Sequence, residues 1–282
     1  MKKINFIVWC PMAYTESSGG ILALHKLCHN LAVMGERSFI TTSGKNADYQ
    51  GEQITTDIAM NFDKESSIVI YPEIVRGNPL NAKYIMRWLL NTPDVIAYSF
   101  GEGDRKCNVY YKFAESFNEG NVIGDFGGEL RALELHLEKF KNFGKERNGS
   151  CFIIKKGENK NWHPKGAIQI DEYEQLGGNA YLSNIFNSSK VFISYDNACF
   201  LSVQAALCGC LSIVAPDGQM SAIEWHEKYP YFKYGIAYGL DDIGYALATM
   251  HFVKDNLQRL EQITLNQTKE FISRAYSLIE RS

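Results

Sequence analysis

Short apolar runs separated by polar, turn-forming segments recur along the chain, and their period alternates between that of a buried strand and that of a helix. Ile4 to Cys10 is apolar nearly throughout and stops at Pro11, which predicts a buried first strand. After a polar loop ending in Ser18-Gly19-Gly20, residues Ile21, Leu24, Leu27, Cys28, Leu31 and Ala32 fall on one helical face. Gly35 closes that helix and Ser38 to Thr42 reads as a second strand, so the opening is a βαβ unit. Ile68 to Tyr71 predicts a strand ending in Pro72-Glu73. Asn78-Pro79 has the look of N-cap and first helical position, and predicts a helix from Leu80 to Leu90. Val95 to Phe100 predicts a strand, Cys107 to Tyr111 a strand or hairpin, and Glu129 to Phe143 a helix.

The charged, turn-rich stretch Lys141 to Ser150 reads as an interdomain linker, giving an N-terminal domain over 1–145 and a C-terminal domain over 146–282. A second alternating series follows. Strands are expected at Cys151–Ile154, Ala167–Ile170, Val191–Tyr195 and Leu211–Ala215, with helices at Tyr181–Phe186 and Phe200–Cys208. A long amphipathic helix closes the chain over Lys254–Glu280. Strands alternating with helices argue for an α/β protein with parallel sheets.

At 282 residues, with 45% hydrophobic and 22% charged positions, the composition is that of a globular chain of one large or two small domains. A net charge of −3 provides no global basic field for nucleic acid or an anionic membrane, so a bound anion must meet a local cluster. The 7 cysteines are scattered through apolar runs and read as reduced thiols of a cytoplasmic protein. Cys208 and Cys210 lack a second pair, which argues against a zinc site. No apolar run approaches membrane-spanning length.

Open parallel sheets bind ligands beyond the carboxyl ends of their strands, so the residues just after each strand are the candidates. Ser18-Gly19-Gly20 would offer backbone N–H groups at a helix start, although neither a dinucleotide fingerprint nor a P-loop is present. Lys155, Lys156 and Lys160, with His163 close by, suit a diphosphate or form a solvated charge run. Tyr195-Asp196 ends a strand before a turn, and Cys199, Phe200 and Gln204 follow where a helix begins. Glu73 is either a general base or a partner of Arg76. Glu102-Gly103-Asp104 has acidic spacing for a divalent metal or is an exposed turn. Tyr14, Trp88, Trp162, Trp225 and Tyr229 are candidate sugar-facing aromatics, or core residues.

Gly19-Gly20 with its helix, Tyr71-Pro72-Glu73 with Gly77 to Leu80, and above all Asp196 to Gly209 resemble the GT-B glycosyltransferases of bacterial and viral surface glycans. In that family an acidic pair brackets the turn and first helical turns after a strand, and small residues and a Gly precede the next strand. The resemblance implies two Rossmann-like domains facing a cleft and a final helix crossing back to the first. It implies a nucleotide diphosphate sugar such as a UDP-sugar as co-substrate, a glycan hydroxyl as acceptor, and no cofactor or required metal. Asp196 would contact the transferred sugar, Gln204 the ribose, Cys199 and Phe200 N–H groups the diphosphate, and Lys155 with Lys160 or Lys156 the phosphates. Glu16 and Glu73 are the base candidates for an inverting reaction. Asp and Gln stand here for the family's Glu pair, and Cys199 for its usual Gly. A metal-dependent GT-A transferase, and a glycan- or nucleotide-binding protein without turnover, are the alternatives.

Overall fold

The computed structural model describes residues 3–16, 18–91, 101, 103–115, 117–158 and 160–281. The chain divides into two compact units. Unit 1 comprises Met1–Glu134 together with Glu261–Ser282, and unit 2 comprises Leu135–Leu260.

Unit 1 contains β1 (Asn5–Trp9), α1 (Gly19–Val33), β2 (Arg37–Thr41), β3 (Glu52–Ile54), α2 (Thr56–Met60), β4 (Ser67–Pro72), β5 (Tyr84–Leu89), β6 (Lys106–Lys112) and β7 (Ile123–Glu129). They form a 7-stranded sheet in the order β3-β2-β1-β4-β5-β6-β7, with every pairing parallel. Strand β1 explains why its run is apolar on both sides: Phe6 and Val8 enter the core under α1 with Leu24, Leu27 and Leu31, while Ile7 enters the opposite core with Phe39, Val69 and Tyr71. The order reverses between β1 and β4, which makes their carboxyl ends the switch point of this sheet.

Two expectations for this half change, and the choice between strand and hairpin at Cys107 to Tyr111 is resolved. The segment expected as a helix from Leu80 to Leu90 is a turn followed by β5, a central strand between β4 and β6. The Asn78 side chain ties the turn instead of starting a helix, accepting from the Ala82 N–H at 2.9 Å and donating to the Ala82 carbonyl at 2.9 Å. A short apolar run fits either period, and pairing on both edges decides for the strand. Residues 106–112 are a strand paired in parallel on both sides, not a hairpin. The helix expected from Glu129 to Phe143 is absent; β7 ends at Glu129 and irregular chain with turns follows. Leu130 and Ala132 belong to a core of unit 1, Phe140 belongs to a core of unit 2, and His136 has a left-handed φ of 46°. The left-handed residue at His136 interrupts any continuous helix between these two groups. The strand β7 was hidden by its glycines, which the sheet needs: a Cβ on Gly127 would lie 2.5 Å from the Tyr111 ring. The strand expected at Val95–Phe100 lies outside the described residues.

Unit 2 contains β8 (Ser150–Ile153), β9 (Ile168–Gln169), α3 (Gly178–Ser188), β10 (Val191–Ser194), α4 (Leu201–Leu207), β11 (Leu211–Val214), α5 (Ala222–Lys228), β12 (Ile236–Tyr238), α6 (Ile243–Thr249) and the start of α7 (Val253–Glu280). Its 5-stranded sheet runs β12-β11-β10-β8-β9, again all parallel. The reversal falls between β8 and β10. The charged stretch 141–150 lies inside unit 2, held to α3. Ser183 Oγ donates to the Lys139 carbonyl at 2.7 Å, and the fully buried Asn187 accepts from the Phe143 N–H at 2.8 Å. Helix α7 continues into the residues of unit 1, where Phe271 and Ala275 join the core with Phe6 and Tyr111. The chain is thus an α/β protein built on two parallel, Rossmann-like sheets. No helix among the described residues is long and apolar enough to cross a membrane.

Candidate functional site

The two switch points differ in what their side chains are doing. In unit 1, Ser18 caps α1, its hydroxyl accepting the Ile21 N–H at 3.4 Å. Neither following glycine is demanded by packing: a Cβ on Gly19 would meet nothing within 4 Å, and one on Gly20 only Leu90 at 3.7 Å. Glu16 is half-buried on the loop before that helix. Glu73 follows β4 but is only 7% exposed, and its Oε2 accepts the Leu90 N–H at 2.9 Å. Arg76 pairs with Asp104, Nε to Oδ2 at 3.2 Å. That carboxylate also accepts the Gly101 N–H at 2.7 Å, while Glu102 lies outside the described residues. No group of three or more potential metal ligands occurs among the described residues.

Behind this edge, two arginines are sealed into the unit. Arg87, 0% exposed on β5, donates to the carbonyls of Val75 at 2.7 Å, Asp104 at 2.9 Å, Lys106 at 3.4 Å and also Gly77. Burial pushes its guanidinium below the ordinary range. Arg105 donates to the Glu73 carbonyl at 3.3 Å and to Asn121 Oδ1 at 2.6 Å. These cations tie down the connections flanking β5, where β4 reaches β5 without a helix. Trp88, the next residue, faces the opposite core, its indole N–H bonded to the Leu130 carbonyl at 2.8 Å.

In unit 2 the loop after β8 and the turn after β10 are locked together. Gly157 packs so closely on β10 that a Cβ there would sit 1.8 Å from the Tyr195 carbonyl oxygen, so only glycine lets the loop approach. Asp171, just past β9, holds the start of that loop: its carboxylate accepts the N–H groups of Ile154 at 3.1 Å and Lys155 at 2.8 Å. Lys155 adopts a left-handed φ of 43°, and its ammonium lies 5.6 Å from the centre of the Tyr173 ring. Lys156 is exposed. Lys160 reaches the far side, bonding the Pro216 carbonyl beyond β11. The loop therefore spans the carboxyl ends of β8, β10 and β11, and brings Lys155, Lys160 and His163 to the strand end that carries Asp196.

Asp196 forms an Asx-turn, Oδ1 accepting the Ala198 N–H at 3.0 Å. The Cys199 N–H is used internally, donated to the Asp196 carbonyl at 3.4 Å, and α4 begins only at Leu201. No hydrogen bond joins the Phe200 N–H to another described residue. Burial pushes the Cys199 thiol up to about 11, although the nearby Lys155 ammonium pulls the other way. One turn into α4, Gln204 is 5% exposed, and its Oε1 is buried with no hydrogen-bond partner. The Oδ1 of Asn197 is likewise buried and unpartnered. Buried acceptor oxygens without a protein donor are costly, and a ligand bearing O–H or N–H groups would satisfy them.

Asp217 was not among the sequence candidates, nor was Asp171, yet each follows a strand that the pattern did reveal. Applying the carboxyl-end rule to every strand would have found both. The Asp217 carboxylate accepts from the Tyr238 hydroxyl at 2.9 Å, the Gln219 N–H at 2.9 Å and Asn197 Nδ2. These bonds hold it below the usual carboxylate range against the opposing desolvation. It thus fixes Asn197, whose carbonyl also accepts the Trp225 indole N–H at 3.0 Å. Trp225 is fully buried and stacked on Tyr238 with centroids 5.1 Å apart, so it supports the site from beneath. Of the aromatic candidates, Trp162 is 39% exposed beside this loop, Tyr14 and Tyr229 are half-buried, and Trp88 and Trp225 are core residues.

Compared with known proteins, the chain matches no family model and no curated protein.

Proposed function

We propose that the chain is a glycosyltransferase of the GT-B kind, moving a sugar from a nucleotide diphosphate sugar to a hydroxyl of a surface-polysaccharide or glycoprotein glycan. The observation that carries the reading is the buried, unpartnered Gln204 oxygen, one turn into α4, the helix that follows the strand-end carboxylate of Asp196. Acceptors wanting hydroxyl donors and a lysine-bearing loop on one sheet edge suit a ligand that holds both hydroxyls and phosphates. In the transfer, the bond from the anomeric carbon to the diphosphate oxygen breaks and a bond to the acceptor oxygen forms. Negative charge then grows on the departing diphosphate, where Lys155, Lys156, Lys160 and the Phe200 N–H would stabilise it. Asp196 would orient the transferred sugar and Gln204 a ribose hydroxyl. In this reading unit 2 takes the donor and unit 1 the acceptor. If the reaction inverts, Glu16 and Glu73 are the base candidates, Glu73 with its Oε2 already holding the Leu90 N–H. No step in this scheme calls for a metal.

A thermal-shift and calorimetric screen of UDP, GDP, CMP, dTDP and their sugar conjugates, with EDTA and with Mg²⁺, tests this. One nucleotide diphosphate that binds in EDTA, and whose conjugate is turned over with a glycan acceptor, is the expected result. Binding that requires Mg²⁺ would favour a metal-dependent transferase. Binding without turnover would favour a recognition protein, and no binding by any member would overturn the reading.

A further inference from the structure

Tyr195 and His163 form a unit whose hydrogen bonding can be counted. The Tyr195 hydroxyl oxygen lies 2.7 Å from the Trp162 N–H nitrogen, 3.2 Å from that of His163, and 2.8 Å from His163 Nδ1. A phenol has one proton and two lone pairs. The two backbone N–H groups can only donate, so they take the lone pairs, and the phenolic proton is left for Nδ1. The imidazole therefore accepts at Nδ1 and carries its proton on Nε2. Phe152 pins the ring, stacked at 3.7 Å between centroids with 4° between planes, and Tyr195 meets it edge-on at 85°. No described residue is bonded to Nε2, and it is not among the buried unpartnered atoms. Tyr195 itself is 4% exposed with its hydroxyl fully used, so it does not serve as a ligand contact.

We propose that Tyr195 is a positioning residue that locks His163 as an Nε2–H donor, and that this N–H binds a phosphate oxygen of the diphosphate. The inference rests on the reading of unit 2 as a nucleotide diphosphate site. Lys155, Lys156 and Lys160 lie on the same loop and supply charge, whereas His163 supplies direction. A rotating ammonium cannot do this, because its three donors have no preferred orientation.

Nitrogen-15 spectra of the histidine side chains in the ligand-free protein, with His163 assigned by its loss in His163→Gln, test the first half. The expected pattern is an unprotonated Nδ1 and a protonated Nε2, changing to a mixture of tautomers in Tyr195→Phe. An Nδ1–H ring in the wild type overturns the proposal, and this spectrum decides even where the variant does not fold. Titration with inorganic pyrophosphate and with UDP or GDP tests the second half. The His163 Nε2–H resonance should move on binding, and Tyr195→Phe should weaken pyrophosphate by about threefold to tenfold, the range of one hydrogen bond. If pyrophosphate or a nucleotide binds while that resonance stays in place, His163 is not a phosphate contact. If none of them binds, the reading of the site fails with the ligand half, while the tautomer stands or falls on the ligand-free spectrum alone.

Discussion

The two sheets share a parallel topology with a reversal of strand order, yet their carboxyl edges are employed differently. In unit 1 the charged groups are turned onto the protein's own backbone: Glu73, just past β4, holds the Leu90 N–H, and Arg87 and Arg105 hold loop carbonyls. At the edge of unit 2 a comparable set of polar groups is fixed in place but left with unused capacity, as in Gln204 Oε1, Asn197 Oδ1 and His163 Nε2. Topology thus marks where a ligand could sit, and the hydrogen-bond inventory separates groups spent on the fold from groups left with capacity to spare.

That contrast should split stability from ligand binding between the units. The largest effect is expected from Arg87→Met, which strands several buried carbonyls. It should cost about 3–5 kcal/mol in urea unfolding, with nucleotide affinity little changed in whatever remains folded. Lys155→Ala and Asp196→Ala should each lower transfer by about a hundredfold, or about 2.7 kcal/mol in the barrier, while the unfolding midpoint moves little. Retained transfer in both would break the assignment of the edge of unit 2.

Between these and the mildest change lies a pH effect confined to unit 1. Burial, aided by the Lys45 charge, lowers the buried His25 from 6.5 to about 4. The unfolded chain therefore takes up this proton before the folded one does. The stabilisation is present above the unfolded value and is lost as pH falls toward the folded value. Unfolding free energy should drop by about 2 kcal/mol between pH 7 and pH 5, and His25→Gln should flatten that slope. Last, Gln204→Ala should weaken the bound nucleotide by about tenfold, near 1.4 kcal/mol, measured by calorimetry, with Gln204→Glu recovering most of it.

Much of this was legible in the pattern of residues. The β1-α1-β2 opening, the strand at Ile68 to Tyr71 and the alternation after residue 150 all have apolar periods that show within their own short segments. What the pattern concealed depended on distant partners. A glycine-rich strand such as β7 is defined by the Tyr111 and Cys107 side chains it must accommodate. The apolar residues between Leu130 and Phe140 mimic a helical stripe although they serve separate cores. At the site, Lys155, Asp196 and Gln204 stood out because strand ends can be counted from sequence. That Tyr195 is saturated, and that Asp171 and Asp217 hold the loop and the turn, follows only from hydrogen bonds across strands.

Helix α7 carries a consequence for how the protein is made. Phe271 and Ala275 complete the core of unit 1, whose other residues come from the opposite end of the chain, whereas Leu135–Leu260 is continuous. On the ribosome, the half synthesised first must therefore wait with a sheet face that α1 covers only in part until α7 emerges. The half synthesised second already has its whole sequence by then, so it is free to fold ahead of its elder. Slowing translation just before residue 261 should lengthen the lifetime of that partly covered sheet and increase its capture by chaperones.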